Sequence, residues 1–281
     1  MDSCGRCAGF MERSRGQVQP MSLKTQSLAP DVLVVIGDTY ASNATLFLHG
    51  PDVLMVDALG SRADAEALRR FVQDEMRARV RLVVSTHGFS DHLAALQAFP
   101  EALVLAHERL EDTFRAERYQ SEEEAGFFRA PELRVCAPLH LQWGRHALEV
   151  FPNTGHTQST LNIDVPALDL LFSADTAVGN MAYFAYGAPE VIDAALARSQ
   201  ARGRSRVIQG HGGVVSSRTL ASARHYLRAL ESAVREARGE PERVRALSLG
   251  ACLPADVRGG GFEEVFHKRN LDEVVSRRLW A

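Results

Sequence analysis

The sequence has no long hydrophobic run, and this absence excludes a membrane-spanning class of protein. None of its apolar stretches approaches the ~20 residues that a helix needs to cross a bilayer. The first residues also lack the apolar central region of a secretory signal. We therefore expect a soluble protein that stays in the cytoplasm and has no membrane partner.

The sequence also lacks an excess of either charge. It has 281 residues, with 32 Lys and Arg against 35 Asp and Glu, and a formal net charge of −3. These charges are scattered along the chain, so no basic field predicts binding to nucleic acid or to an anionic membrane. A small-molecule substrate is the remaining expectation.

Cysteine is scarce and is not arranged for a known cysteine site. The four cysteines are Cys4, Cys7, Cys136 and Cys252, and no second pair completes a four-sulfur zinc site. The first pair precedes a polar stretch and not a strand–helix junction, which argues against a redox role. Residues 1–30 are expected to form a loosely ordered extension, with Met21 as an alternative start.

From residue 31 the chain has the texture of a folded α/β domain. Runs rich in Val, Ile, Leu and Phe at 32–36, 45–48 and 53–56 are separated by turn residues, which predicts an antiparallel start to a sheet. Apolar residues at helical spacing follow from Ala67 to Met76, then a strand from Val80 to Ser85. Ser90 or Asp91 is a natural N-cap for a helix reaching Phe99.

The second half repeats this alternation of strand-like and helix-like segments, so the residues predict a layered α/β sandwich with two similar halves. Helices are expected at 191–199, at 220–234 and at 262–279. We expect a catalytic domain at 31–240, with a charged helical insertion at 107–130 that roofs a pocket. Residues 241–281 are expected to pack on this domain as a helical extension.

Metal-competent side chains occur in four short islands, each beside a hydrophobic run. The first island is His87-Gly88-Phe89-Ser90-Asp91-His92, and the others contain His156, Asp175 and His211. Strand ends deliver such side chains into a shared pocket. Zinc favours imidazole and carboxylate ligands, so these residues predict a metal site with one position open for water.

The order of these islands resembles the metallo-β-lactamase superfamily. Its His-x-His-x-Asp-His motif is followed by a His in a Gly-His-Thr turn, an Asp after a hydrophobic strand, and a last His. The corresponding residues here are His87 to His92, Gly155-His156-Thr157, Ala174-Asp175-Thr176 and Gly210-His211-Gly212. Asp57 stands where the family has a structural Asp. The resemblance extends from about residue 31 to the helix after His211.

The resemblance implies a four-layer αβ/βα sandwich with a metal site at one edge of two packed sheets. It assigns His87, His156 and Asp175 to one metal position. It assigns Asp91, His92, His211 and the shared Asp175 to the other. Asp91 and His211 are the residues expected to act in catalysis.

Phe89 departs from the family pattern, because it replaces the second His of the motif and a phenyl ring offers no lone pair to a metal. We therefore expect one tightly bound Zn²⁺, with a second ion weak or absent. Fe or Mn is the alternative metal.

The resemblance implies hydrolysis of an ester-like acyl bond, such as a lactone, thioester or amide, by metal-activated water. Two alternatives remain open at this point: an iron-dependent redox or non-hydrolytic enzyme on the same fold, and a catalytically silent binding member. Hydrolysis of β-lactams and cleavage of phosphodiesters are not favoured.

Aromatic residues near the motifs are candidates for lining the substrate pocket. They are Phe89, Tyr183, Phe184 and Tyr186, although core packing explains each ring equally well. Among the other histidines, His107 is the best candidate for a replacement contact, because it follows a strand directly. A homodimer is possible.

Overall fold

Two mixed β-sheets organise the chain, and the computed structural model describes residues 23–281. The first sheet has seven strands in chain order: β1 (Lys24–Ala29), β2 (Val32–Ile36), β3 (Asn43–His49), β4 (Asp52–Val56), β5 (Arg79–Val84), β6 (Leu103–His107) and β7 (Leu133–Val135). The first four strands pair antiparallel, which includes the antiparallel start that the sequence predicted for β2 to β4, and β4 to β7 pair parallel.

The second sheet has six strands in the order β13-β12-β11-β10-β9-β8. Only β11 and β12 pair parallel within it. Its strands are β8 (Leu139–Trp143), β9 (His146–Pro152), β10 (Leu161–Val165), β11 (Leu170–Ala174), β12 (Arg206–Gln209) and β13 (Val214–Ser216).

Helices cover the outer face of each sheet. They are α1 (Arg62–Arg70), α2 (Leu110–Ala116), α3 (Pro189–Ala201), α4 (Arg218–Glu236), α5 (Pro241–Arg245), α6 (Leu249–Cys252) and α7 (Gly261–Arg277). A π-helical turn at Phe71–Glu75 continues α1. Among residues 23–281, no helix combines the length and the hydrophobicity that crossing a bilayer requires.

Three buried apolar clusters account for the layering. One fills the space between the sheets, with Phe47 and Phe172 in contact at its centre. A second lies between the first sheet and α1, and a third packs α3, α4 and α7 on the second sheet. The result is a four-layer αβ/βα sandwich, as expected from the resemblance.

Hydrogen bonds tie the two sheets together close to one edge. The Asn43 side chain donates to the carbonyl of Gln209 (2.8 Å) and accepts from the Gly213 N–H (2.9 Å). The Leu161 N–H also donates to the carbonyl of Thr86, the residue before His87 (2.7 Å). Loops from both sheets are therefore held at a common edge.

Two predictions about local structure are wrong. Residues 24–29, expected to be loosely ordered within the 1–30 extension, form β1 and pair with β2. The rest of that extension up to residue 22, including Cys4 and Cys7, lies outside the described residues. The helix expected from Ser90 to Phe99 is replaced by two short 3₁₀ turns, Ser90–His92 and Ala94–Leu96.

Candidate metal centre

Strand ends place the predicted ligands at one edge of the sandwich. His87 follows β5, Asp175 follows β11, and His211 comes two residues after β12. His156 lies in the loop that follows β9. Because β5 is parallel to β4 in one sheet and β11 to β12 in the other, the carboxyl ends of each pair lie at the same edge of their own sheet.

The structure brings all six predicted ligands together. His87, His156 and Asp175 form one group with ligand atoms within 4.8 Å of one another, and Asp91, His92 and His211 form a second. The four imidazoles and Asp175 are buried, while Asp91 is partly exposed.

Asp175 joins the two groups. Its Oδ2 lies 3.2 Å from His211 Nε2, 3.6 Å from His92 Nε2 and 3.9 Å from His87 Nε2. Asp91 lies on the far side of the second group, with Oδ1 3.5 Å from His92 Nε2 and Oδ2 3.5 Å from His211 Nε2. A single carboxylate therefore faces both positions, as a bridging ligand would.

Backbone and side-chain acceptors fix three of the imidazoles with Nε2 towards the cluster. His156 Nδ1 lies 3.1 Å from the Tyr183 carbonyl, and His211 Nδ1 lies 2.9 Å from the Tyr40 carbonyl. A carbonyl only accepts, so each Nδ1 carries a proton, and in the neutral imidazole the lone pair is then on Nε2, facing the cluster.

His87 is oriented through Thr86 and Asp57. The Thr86 N–H and hydroxyl donate to the two Asp57 carboxylate oxygens at 2.7 and 2.8 Å. The hydroxyl oxygen can then accept from His87 Nδ1, 3.2 Å away, which leaves Nε2 free. Asp57 and Ala174 adopt left-handed backbone conformations, φ 59° and 48°, a strain that clusters at functional sites.

The side chains present fit a metal ion. Nε2 of His87, His92 and His156 and Oδ1 of Asp175 are buried without a hydrogen-bond partner in the described part of the chain. Leaving so many polar atoms unpaired is costly unless another group satisfies them. Imidazole nitrogens and carboxylate oxygens are the donors that zinc and other first-row metals take.

The pKa shifts show where the site attracts positive charge. Burial lowers the pKa of His87 and His156, which keeps both imidazoles neutral and able to coordinate. Burial also opposes protonation of His92, but the carboxylates of Asp91 and Asp175 outweigh it and raise its pKa to about 10. The second group is thus the place where a cation is most strongly stabilised, and a metal would displace the proton there.

The sequence model of the metallo-beta-lactamase superfamily matches residues 37–232. The chain belongs to this superfamily. Its members are mostly metal-dependent hydrolases.

Relatives and solved structures agree with this membership. "Metallo-beta-lactamase domain-containing protein 1" of Xenopus laevis is 30% identical over 137 residues, covering 48% of this chain and 53% of that protein. The chain thus spans about half the length of this curated relative. A metallo-beta-lactamase from Pontibacter korlensis superposes with a TM-score of 0.63 at 18% identity, over 74% of this chain and 99% of that one. The sec-alkylsulfatase Pisa1 from Pseudomonas sp. reaches 0.66 at 16% identity, over 92% of this chain and 50% of that one.

Phe89 is the point at which this member of the superfamily differs from the motif. Its ring, 6% exposed, packs edge to face against His87 and His156, with centroids 5.3 and 5.2 Å apart. On its other side it contacts Tyr186 at 4.6 Å. The phenyl ring therefore lies against the first metal position without supplying a ligand atom.

A cavity of about 280 Å³ opens onto the cluster. Phe89, Tyr183 and Tyr186, three of the candidates for lining a substrate pocket, line this cavity. So do several residues that the sequence did not single out: Tyr40, Glu117, Tyr119, Glu124, Phe262, Val265, Phe266 and Arg269. Glu117, Tyr119 and Glu124 belong to the insertion at 107–130, which had been expected to roof a pocket. The four residues from α7 carry no motif that would have revealed them.

Two predicted contacts lie elsewhere. Phe184 is fully buried in the outer apolar layer, where it packs against Trp280 at 5.9 Å, so it does not line the cavity. His107 accepts the Arg109 N–H at Nδ1 (3.0 Å) and borders a neighbouring groove, so it does not replace the missing ligand.

Proposed function

We propose that the chain is a metal-dependent hydrolase of an ester-like acyl bond, a lactone, thioester or amide. The observation that carries this proposal is the group of unpaired, buried ligand atoms that converge on Asp175 from two sides. Membership of a superfamily of mostly metal-dependent hydrolases supports it.

The second group is proposed to hold the tighter ion. It offers His92, His211, Asp91 and the shared Asp175, two nitrogens and two carboxylates, which is a complete set for zinc. The first group offers only His87, His156 and Asp175, and Phe89 occupies the adjoining space. Its ion is proposed to be weak or absent. We propose zinc as the native metal, with iron or manganese as the alternatives that elemental analysis would reveal.

When bound, the metal would supply an activated water and would polarise the acyl carbonyl. The chain's own residues have the remaining tasks. Asp91 is the one ligand candidate that is partly exposed to the cavity, so its carboxylate is proposed to accept a proton from the attacking water. His211 is oriented by the Tyr40 carbonyl, and its Nε2 lies close to the carboxylates of both Asp91 and Asp175. We propose that it holds these two carboxylates in position.

The cavity walls are proposed to bind the acyl group and exclude bulk water. Aromatic rings make up much of the lining, and the volume of about 280 Å³ suits a small molecule. The aromatic part of the wall strengthens the electrostatic interactions beside it, because less water screens them there.

The test is turnover by the purified, zinc-loaded protein of a lactone, a thioester and an amide, with 2-octyl sulfate as a non-acyl comparison. Asp91→Asn is expected to lower kcat/KM by at least about 100-fold, the order that a lost proton acceptor costs. Asp74→Asn, an exposed change outside the cavity, is the matched control. No turnover of any acyl class despite bound metal would refute the proposal, and so would turnover of the sulfate ester alone.

A further inference from the structure

One wall of the cavity comes from a helix outside the region that matches the superfamily. The match ends at residue 232, whereas α7 spans Gly261–Arg277. Phe262, Val265, Phe266 and Arg269 of this helix line the cavity. The α7 residues are therefore the part of the cavity wall that the match to the superfamily does not cover, and they are candidates for contacts that select the substrate.

This wall is rigidly attached to the domain. The Asn270 side chain donates to the Ala182 carbonyl (2.8 Å) and to the Tyr226 hydroxyl (3.0 Å), and accepts from the Phe184 N–H (3.1 Å). Near the start of α7, Glu263 accepts the Asn180 N–H (2.7 Å). Groups on α7 are thus held in place before any ligand arrives.

Arg269 is a charged group of this wall that has no ionic partner. Within residues 23–281 its guanidinium forms no ion pair and donates no hydrogen bond to a protein acceptor, whereas Arg118 and Arg277 both pair with Glu273. Its Cζ lies 4.3 Å from the centre of the Tyr119 ring and 5.4 Å from that of Phe266. Stacking on the two rings orients the planar group and leaves its N–H donors available.

A second unpaired donor lies beside it. The Tyr183 hydroxyl is buried and has no hydrogen-bond partner in the described chain. Its ring contacts Phe266 of α7 at 4.8 Å between ring centroids, and Arg269 Cζ lies 5.4 Å from the centre of the same Phe266 ring, so the two donors are neighbours. Two donors without acceptors therefore line the same cavity.

The two glutamates of the cavity, Glu117 and Glu124, accept hydrogen bonds from residues other than Arg269. Both Glu117 oxygens accept from Ser90, from its N–H and its hydroxyl at 2.9 Å each. Glu124 accepts the Ser121 N–H at 2.7 Å. Burial raises the pKa of Glu117 to about 7, which reduces the negative charge it adds near neutral pH.

We propose that Arg269 and the Tyr183 hydroxyl bind a carboxylate of the substrate, so that the substrate is an acyl compound with one small anionic group remote from the bond that breaks. A guanidinium matches a carboxylate through two parallel hydrogen bonds. One guanidinium balances one negative charge. A phosphate monoester carries nearly two, and its second charge would be uncompensated in a cavity that also contains Glu124. This inference rests on the proposed acyl hydrolysis for its kinetic test.

The kinetic test measures hydrolysis of two p-nitrophenyl esters by the zinc-loaded protein. One is the glutaric acid monoester, which carries a free carboxylate, and the other is the valerate, in which a methyl group replaces that carboxylate. The wild type is expected to prefer the anionic ester by about 10- to 100-fold in kcat/KM, the value of a charge-assisted hydrogen bond. Arg269→Met should abolish this preference mainly by raising KM for the anionic ester, because the contact is present before and during reaction.

Two further variants distinguish loss of the Arg269–carboxylate contact from a general loss of positive charge or of the fold. Lys268→Met removes one positive charge from an exposed position of the same helix and should leave the preference unchanged. Arg269→Lys should restore part of it, since a lysine keeps the charge without the planar fork.

A binding measurement makes the inference independent of turnover. Calorimetric titration of the zinc-loaded protein with phenylacetate and with neutral phenylacetamide should show preference for the anion, and Arg269→Met should lose it by about 10-fold or more. If the zinc-loaded protein turns over no ester, lactone, thioester or amide but this preference appears, the proposed function fails and the inference stands. If Arg269→Met binds phenylacetate as tightly as the wild type, or hydrolyses both esters with an unchanged ratio, the inference is overturned.

Discussion

Replacing Phe89 by His tests whether one residue sets the number of metal ions. The ring lies within about 5 Å of both His87 and His156, measured between ring centroids. An imidazole at this position would add the missing ligand to a group that already has two nitrogens and the Asp175 carboxylate. We expect Phe89→His to raise bound zinc from about one towards two ions per chain.

The same substitution should change stability in opposite directions with and without metal. Phe89 is 6% exposed, so exchanging its ring for a smaller, polar one should cost about 1–3 kcal/mol in the metal-free protein. An additional ion at a free concentration of 100 times its Kd would return about 2.7 kcal/mol. The metal-free variant should therefore melt below the wild type, and zinc should raise its melting temperature more than it raises that of the wild type.

Equilibrium dialysis against buffered zinc, followed by elemental analysis and calorimetric melting, measures both effects. Phe89→Leu is the control, because it removes the ring without adding a ligand and should keep the wild-type stoichiometry. An unchanged number of ions in Phe89→His, across free zinc concentrations that saturate the wild type, would refute the idea that Phe89 limits the first position.

Three other outcomes follow from the geometry. Gly210→Ala should lower zinc affinity by at least about 10-fold, because an added Cβ would clash with Asp175 Oδ1 and with the His92 ring and would displace both ligands. Gly250→Ala, with open space around it, should leave the affinity unchanged in the same zinc titration. Asn270→Ala should lower the free energy of unfolding by about 2–4 kcal/mol in urea denaturation, since it leaves several buried groups of the α7 contact unpaired. A loss below about 0.5 kcal/mol would mean that the Asn270 hydrogen bonds do not stabilise the attachment of α7. Burial raises the pKa of Glu117 in the folded protein from 4.5 to about 7, so between these pH values the folded state binds a proton that the unfolded state has lost. The free energy of unfolding should therefore fall as pH rises through this range, by at most about 3 kcal/mol and less after solvent screening. Glu117→Gln should flatten this slope in denaturation curves measured at several pH values.

Much of the candidate site was predictable from local sequence. Each of His87, Asp175 and His211 follows a strand closely in a turn, and both strands and turns are specified by neighbouring residues. Because the four islands keep the order of a known superfamily, the pairing of His87 with His156, 69 positions further on, was also predictable. That inference came from the resemblance and not from spacing.

The predicted helix after Ser90 failed for a reason that local sequence does not contain. The backbone N–H groups of Ala94 and Ala95 donate to the carbonyls of Leu59 and Ala58 at 3.2 and 2.7 Å, across the fold. These bonds replace the contacts to the preceding turn that an α-helix would need, so the segment forms 3₁₀ turns. The competing acceptors lie some 35 residues earlier in the chain.

Phe184 illustrates the same limit for side chains. It comes nine residues after Asp175, in a segment rich in aromatic residues that all appeared equally able to line a pocket. Tyr183 does face the cavity, whereas Phe184 is buried against Trp280 of the C-terminal segment. Neighbouring residues in such a turn point in opposite directions, and only the position of α7 determines which one is covered.

The amino-acid sequence by itself determined the superfamily, the layered α/β architecture and the chemistry of the six candidate ligands, because these depend on short patterns and on the order in which they occur. The tertiary structure alone decided the shape and charge of the cavity. Tyr119 from the insertion, Tyr183 from the central loop and Arg269 from α7 meet only after the outer layers have packed, and contacts between residues so far apart in the chain depend on how whole elements dock.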